Sequence, residues 1–234
     1  MCKSFFIEKN TQIVYNKDKK LLEVFIMKIK VFPLGSYMTN CYLVWNENSE
    51  ATLFDCSDSK LQNIVNFLKD NNLTLKNIIF THGHGDHIGG INEAAKIFPE
   101  ANIYIGKEDE KFLFDSQYSL SYAIQGYDLS FNGKYSLLKE GDSIFGFEVI
   151  DTPGHTIGSK CFYNKEARLM ISGDTLFRRS FGRYDLPTGN LTQLQKSLKK
   201  ICENYPEDTI VYSGHTEPTT LGEEKRSLKA QGMI

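Results

Sequence analysis

No run in this 234-residue sequence is apolar for long enough to span a bilayer. The first residues also lack the charged, then apolar, then small-residue order of a signal peptide. Cys-x-x-Cys is absent, and the five cysteines, Cys2, Cys41, Cys56, Cys161 and Cys202, are odd in number and scattered. Neither a thiolate zinc site nor a dithiol redox motif is therefore suggested. Cys41 and Cys161 lie in apolar, strand-like runs and read as buried thiols. Reduced cysteines without a leader give a cytoplasmic expectation. A concentrated basic surface is missing too, since the formal net charge is −2, so nucleic acid is not an expected partner. The basic cluster Lys17 to Lys20 contains Asp18 and reads as a solvated face. There is no short repeat, which removes solenoid architectures.

What remains is an ordinary globular composition, 41% hydrophobic and 24% charged, with length enough for one domain and a real core. Residues 1–26 carry no glycine, turn signal or strong period. Leu22-Glu-Val-Phe-Ile-Met27 is what a purine-rich ribosome-binding sequence, a spacer and a start codon give when translated. The expectation is that 1–26 are an extension or a misplaced start, against the alternative of an extra strand over Leu21 to Ile26, and that 27–234 form the domain. From Met27, short apolar runs at Ile29 to Leu34, Cys41 to Trp45 and Thr52 to Asp55 predict an antiparallel meander. Leu61, Ile64, Val65 and Leu68 have helical spacing, with Ser57, Asp58 or Ser59 as candidate N-cap. After the strand Ile78 to Phe80, a second helix should bury Ile88, Ile91, Ala95 and Phe98 and stop at Pro99. Residues 107–137 read as a covering insertion of short helices and loops. Strands return at Ile144-Phe145, Phe147 to Ile150, Cys161 to Tyr163 and Leu169 to Ile171. A last helix presents Leu191, Leu194, Leu198 and Ile201, and Thr209 to Tyr212 closes the chain's strands. Two strand-rich halves, each with helices, suggest two sheets face to face with helices outside.

The histidines carry the chemistry. There are five, His82, His84, His87, His155 and His215, and each follows a predicted strand in a glycine-containing turn. His82 and His84 are two apart, so their rings project to one side of an extended segment. Asp86 and His87 follow where the chain turns into a helix. His155 ends Asp151-Thr-Pro-Gly-His155, Asp174 lies in Ser172-Gly-Asp-Thr175, and His215 ends Ser213-Gly-His215. Singly, each has a plain explanation as a surface histidine or a turn residue. Jointly, every histidine in the chain sits at a strand end. Neutral imidazole and carboxylate suit a divalent ion of borderline softness, with a position left for water. Three imidazoles and a carboxylate make a reasonable shell, and Asp174 can bridge two ions.

These residues resemble the metallo-β-lactamase superfamily, whose His-x-His-x-Asp-His pattern is His82-Gly-His84-Gly-Asp86-His87. The later His, Asp and His match His155, Asp174 and His215, and the resemblance runs from Met27 onward. It implies a four-layer α/β fold, an αββα sandwich, with metals at one edge between the sheets. His82, His84 and His155 would hold one ion and Asp86, His87 and His215 a second, with Asp174 bridging; zinc is expected, with iron or manganese the alternatives. Thr39-Asn-Cys-Tyr42, Gly173-Asp-Thr-Leu-Phe177, Gly182-Arg-Tyr-Asp-Leu-Pro187 and Gly222-Glu-Glu-Lys225 are similar to the small glyoxalase II-like hydrolases. The implied activity is hydrolysis of a small-molecule thioester or ester, with Asp86 and Asp174 catalytic and Arg183 meeting a substrate carboxylate or forming a structural salt bridge. Glyoxalase II proper has a C-terminal helical region that this chain does not match. An iron-dependent persulfide dioxygenase is the alternative on the same fold, and a lactonase another. A β-lactamase would want a secretion signal, and a flavodiiron partner a flavin domain.

Overall fold

The computed structural model describes residues 27–234; the expectation about residues 1–26 lies outside the described residues. The chain opens with the antiparallel meander that its apolar runs predict: β1 (Lys28–Leu34), β2 (Thr39–Trp45) and β3 (Glu50–Phe54). Next come β4 (Thr74–Ile79), β5 (Asn102–Gly106) and β6 (Ser136–Leu138), each added in parallel. The first sheet therefore has the order β1-β2-β3-β4-β5-β6. A second sheet begins with β7 (Ser143–Ile144), β8 (Phe147–Asp151), β9 (Lys160–Asn164) and β10 (Leu169–Gly173). A two-strand hairpin, β11 (Leu176–Phe177) and β12 (Ser180–Phe181), interrupts it before β13 (Ile210–Ser213) and β14 (Thr219–Thr220) complete it. Its order is β14-β13-β10-β9-β8-β7.

Period-two alternation builds the layers. On β2, Cys41 and Leu43 join a core shared with α1 (Gln62–Asp70) and α3 (Ile91–Ile97), whereas Tyr42 and Val44 face the opposite sheet. On β9, Phe162 faces the first sheet, while Cys161 and Tyr163 face α6 (Leu191–Asn204) and α7 (Leu221–Ala230). Three cores separate four layers, the αββα sandwich that the resemblance implies. Phe54 locks the two sheets, its ring centroid 5.1 Å from those of both Phe147 and Phe162.

Several local expectations change. None of Ser57, Asp58 or Ser59 caps α1, whose N-cap position is Leu61 without a side-chain bond. Asp58 instead closes the preceding turn through Lys60 N, and Ser57 is buried beneath the Gly35 turn. The single helix expected after β4 is two, α2 (Gly85–Ile88) and α3, and Ala94 rather than Ala95 is the fully buried alanine. A Cβ at Gly90 would lie 2.3 Å from Asp58 O, so the break is a place of backbone contact. Residues 107–137 do contain a 3-10 helix and the short helices α4 (Ser116–Ser119) and α5 (Ser121–Gln125), but Ser136 starts the edge strand β6. Phe145 lies outside β7, in a turn at φ 50°. Leu191 is exposed, unlike Leu194, Leu198 and Ile201. β14 and α7 follow the strand expected to be last.

Strand direction positions the site. β8 and β10 are each antiparallel to β9, and β13 is parallel to β10. All three run the same way, so the turns after β8, β10 and β13 emerge at one edge. Lys160 N donates to Thr81 O across the sandwich, which brings the turn after β4 to that edge as well.

Candidate metal centre

The seven predicted residues converge there. His84 Nδ1 lies 2.9 Å from His155 Nε2, which is 3.2 Å from His82 Nε2. His215 Nε2 lies 3.3 Å from both His87 Nε2 and Asp86 Oδ2. Asp174 stands between the groups: Oδ2 is 3.6 Å from His155 Nε2 and 3.3 Å from His215 Nε2, and Oδ1 is 3.3 Å from His87 Nε2. Three overlapping sets can each present three donor atoms within 4.8 Å: His82, His84, His155; His82, His87, Asp174; and Asp86, His87, His215.

The outer hydrogen bonds fix which ring nitrogens carry protons. His155 Nδ1 lies 2.7 Å from Arg183 O, and a carbonyl only accepts, so Nδ1 carries the proton of the neutral ring and Nε2 offers a lone pair. His87 Nδ1 donates to Asp55 Oδ2 at 2.8 Å. The Thr81 hydroxyl donates to that same carboxylate at 2.9 Å, leaving its oxygen to accept from His82 Nδ1 at 3.1 Å. The Nε2 atoms of His82 and His155 thus point lone pairs inward at each other, and His87 Nε2 faces the same space. Such an arrangement repels itself unless a cation lies between, and Asp174 Oδ1 is buried without a hydrogen-bond partner. The donors fit a pair of divalent ions with imidazole and carboxylate ligands.

Electrostatics divide the cluster. Burial holds the pKa values of His82, His84 and His155 below the ordinary imidazole range, that of His84 at about 3. Burial opposes charge on His87 and His215 as well, but Asp174, Asp86 and, for His87, Asp55 outweigh it; His215 rises to about 9. Burial works against the carboxylates of Asp86 and Asp174, which His87 and His215 nonetheless hold below their usual range. The first three imidazoles form a neutral wall, and the carboxylates gather on the other side. Six of the seven side chains are nearly buried, whereas His215 is 24% exposed, so the centre opens on its side.

Close approach, more than turning, explains the site glycines. Gly83, Gly85 and Gly214 do not have left-handed backbones, but a Cβ there would meet Phe112 at 2.4 Å, Ser121 Cα at 2.8 Å and Asp174 Oδ1 at 2.1 Å. Gly173, at φ +47°, is the one beside Asp174 whose turn does favour glycine. The Arg183 side chain is exposed and forms a two-pronged ion pair with Asp185 at 2.9 Å. Of its two expected roles, the structure shows the salt bridge.

Sequence reasoning missed three residues. Asp55 and Thr81 orient His87 and His82; Asp55 had a signal, since it ends an apolar run as Asp174 does. Asp109 is fully buried and accepts from Gly83 N, Gly158 N and the Thr156 hydroxyl. Burial pushes its carboxyl up to about 6, against these three bonds. Nothing in Glu108-Asp109-Glu110 marks the middle acid.

A four-layer sandwich with a histidine and aspartate cluster at one edge defines a metal-binding αββα protein. Residues 34–215 match the family model of the metallo-β-lactamase superfamily, and the chain belongs to that superfamily, whose members are generally hydrolases. It is 31% identical to the hydroxyacylglutathione hydrolase GloC of Haemophilus influenzae over 86% of this chain and 96% of that one. Among solved structures, it is similar to BLEG-1, described as a B3 metallo-β-lactamase (34% identity, TM-score 0.78, 85% of this chain and 96% of that one). It is also similar to TTHA1623 in a di-iron-bound form (32% identity, TM-score 0.76, 84% and 97%). None of the described helices is long and apolar enough to cross a membrane.

Proposed function

We propose that the chain is a dinuclear metal-dependent hydrolase of a small-molecule thioester or ester, acting on an S-acylglutathione or another acyl-thiol. The observation that carries this is the inward convergence of lone pairs and carboxylates in three overlapping sets, two of which share no residue, which supports two ions over one. His82, His84 and His155 would hold the first, and Asp86, His87 and His215 the second, with Asp174 shared. Zinc suits this nitrogen and oxygen set, and iron is the alternative that the di-iron relative brings. When bound, such a pair polarises a carbonyl and lowers the pKa of water toward about 7.

The chain's own residues account for the rest. The His215 side admits substrate, because the other walls are closed. A new C–O bond forms as the C–S bond breaks, and the water's proton passes by way of Asp86 to the departing thiolate. Arg183 binds an anionic substrate terminus by exchanging its exposed partner Asp185. Similarity to a hydroxyacylglutathione hydrolase supports a thioester; similarity to BLEG-1 supports β-lactam amides as the second reading, by the same attack on a carbonyl.

Metal analysis coupled to a panel of thioesters, lactones, β-lactams and glutathione persulfide tests the proposal. We expect two ions per chain and fastest turnover of a thioester, with Asp174→Ala losing both loading and turnover. An Asp174→Ala protein that keeps two ions and full activity overturns the scheme. Iron alone, with oxygen consumed on persulfide, replaces it with a dioxygenase.

A further inference from the structure

We infer that Asp109 is the positioning residue for the first of the two ions: it joins the two loops that supply all three nitrogens of that set. This rests on the two-ion reading above. Asp109 lies far from the ligands in sequence, in the 3-10 helix after β5, and its side chain is fully buried. Oδ2 accepts from Gly83 N at 2.9 Å, and Gly83 is the residue between His82 and His84. The same oxygen accepts from the Thr156 hydroxyl at 2.6 Å, next to His155. Oδ1 accepts from Gly158 N at 2.7 Å, in the same loop as His155. One carboxylate therefore spans the His82–His84 turn of the first sheet and the His155 turn of the second.

The fit is tight on every side. A Cβ at Gly158 would lie 2.4 Å from Asp109 N, and one at Gly83 would strike Phe112, three residues beyond Asp109. Thr156 is held from behind, since its hydroxyl meets Ser159 Oγ at 2.7 Å and its N–H donates to that oxygen at 3.0 Å. Nothing equivalent runs from Asp109 to the second set: Asp86 and His215 receive no bond from it, and His87 is oriented by Asp55. Support for the two ions is thereby divided between two buried aspartates. Asp55 also reaches His82 through Thr81, but the Asp109 carboxylate bonds to the turns of both His82–His84 and His155.

Asp109→Asn keeps the shape and removes acceptor capacity: an amide nitrogen cannot accept, so one of the three donors faces another donor. Outer-shell substitutions of this kind weaken metal binding by about 10–100-fold. The experiment titrates the full chain with Zn2+ against a chromophoric chelator and counts ions by native mass spectrometry, with circular dichroism as the check on folding. The parent should take two ions. Asp109→Asn should take one with parental affinity and the other about 10–100-fold more weakly, and adding His215→Ala should weaken the ion that remains. Equal weakening of both ions, or parental affinity for both, overturns the inference. If Asp109→Asn does not fold, Thr156→Val, which removes the 2.6 Å bond to Asp109 together with the hydroxyl's contact to Ser159 Oγ, should still weaken one ion selectively; parental binding of both by that variant overturns it equally. A parent that binds fewer than two ions overturns the dinuclear reading and this inference with it.

Discussion

Adding one methyl group at Gly214 should dismantle the centre without removing any of its proposed ligands. The backbone there is not left-handed, so alanine brings no torsional strain, and its effect is steric. An ideal Cβ would stand 2.1 Å from Asp174 Oδ1 and 2.8 Å from His87 Cε1, where ordinary contact is 3.4–4 Å. Relief demands more than an ångström of movement by one of three parties. Gly214 itself cannot retreat, since its N–H donates to Gly173 O at 2.9 Å and its carbonyl accepts from Asn40 N at 2.7 Å. Asp174 is hemmed in as well, its carbonyl only 1.8 Å from where a Cβ on Gly182 would sit. His87 is tied to Asp55 at 2.8 Å. The softest element is the Asp174 side chain, the proposed shared ligand.

Overpacking of this kind costs about 1–3 kcal/mol. A metal site tolerates displacements of only about 0.5 Å, so most of that cost should appear in ion binding. At about 1.4 kcal/mol per decade, Gly214→Ala should bind both ions roughly 5- to 150-fold more weakly, with turnover falling in step. Chelator competition and ion counting measure the first, and a thioester assay the second. Gly141→Ala is the control: its Cβ meets nothing within 4 Å at φ +82°, so it carries only backbone strain and should leave ion binding unchanged. A Gly214→Ala protein with two ions at parental affinity would refute the reasoning.

Arg183→Gln separates the two roles of that residue. Its ion pair with Asp185 is solvent-exposed and its contact to His155 comes from the backbone carbonyl, so folding and ion content should not change. If the side chain meets an anionic substrate terminus, KM rises at constant kcat; an unchanged KM assigns it to the salt bridge alone. The four described thiols should resist iodoacetamide at pH 8 until the protein unfolds. Burial raises the pKa values of Cys41 and Cys56, and those of Cys161 and Cys202 to about 11. Because the folded values lie above the unfolded ones, the contribution of Cys161 and Cys202 to stability is complete below about pH 9 and is lost as pH rises through about 11. Mass-resolved alkylation and alkaline melts check this, and rapid native labelling of Cys161 would contradict it.

The proposed ligands were legible because most carry their own local mark, an apolar strand, a small residue, then the histidine or aspartate, with Asp86 and His87 following in the same turn. Such marks survive in one dimension, since strand and turn are local, and the shared direction of β8, β10 and β13 does the rest. α7 was not foreseen, although it carries a faint mark. Few of its residues are buried, but Thr220 accepts from Glu223 N, the Thr-x-x-Glu start of a capped helix. The split between α2 and α3 depends instead on Gly90 meeting Asp58 O, a contact between segments about thirty residues apart. Asp109 is the extreme case. Three acids in a row look equally solvated, and only the meeting of two distant turns makes the middle one a buried acceptor. The residues that touch a ligand can be read from their neighbours in sequence, whereas those that hold them depend on neighbours in space.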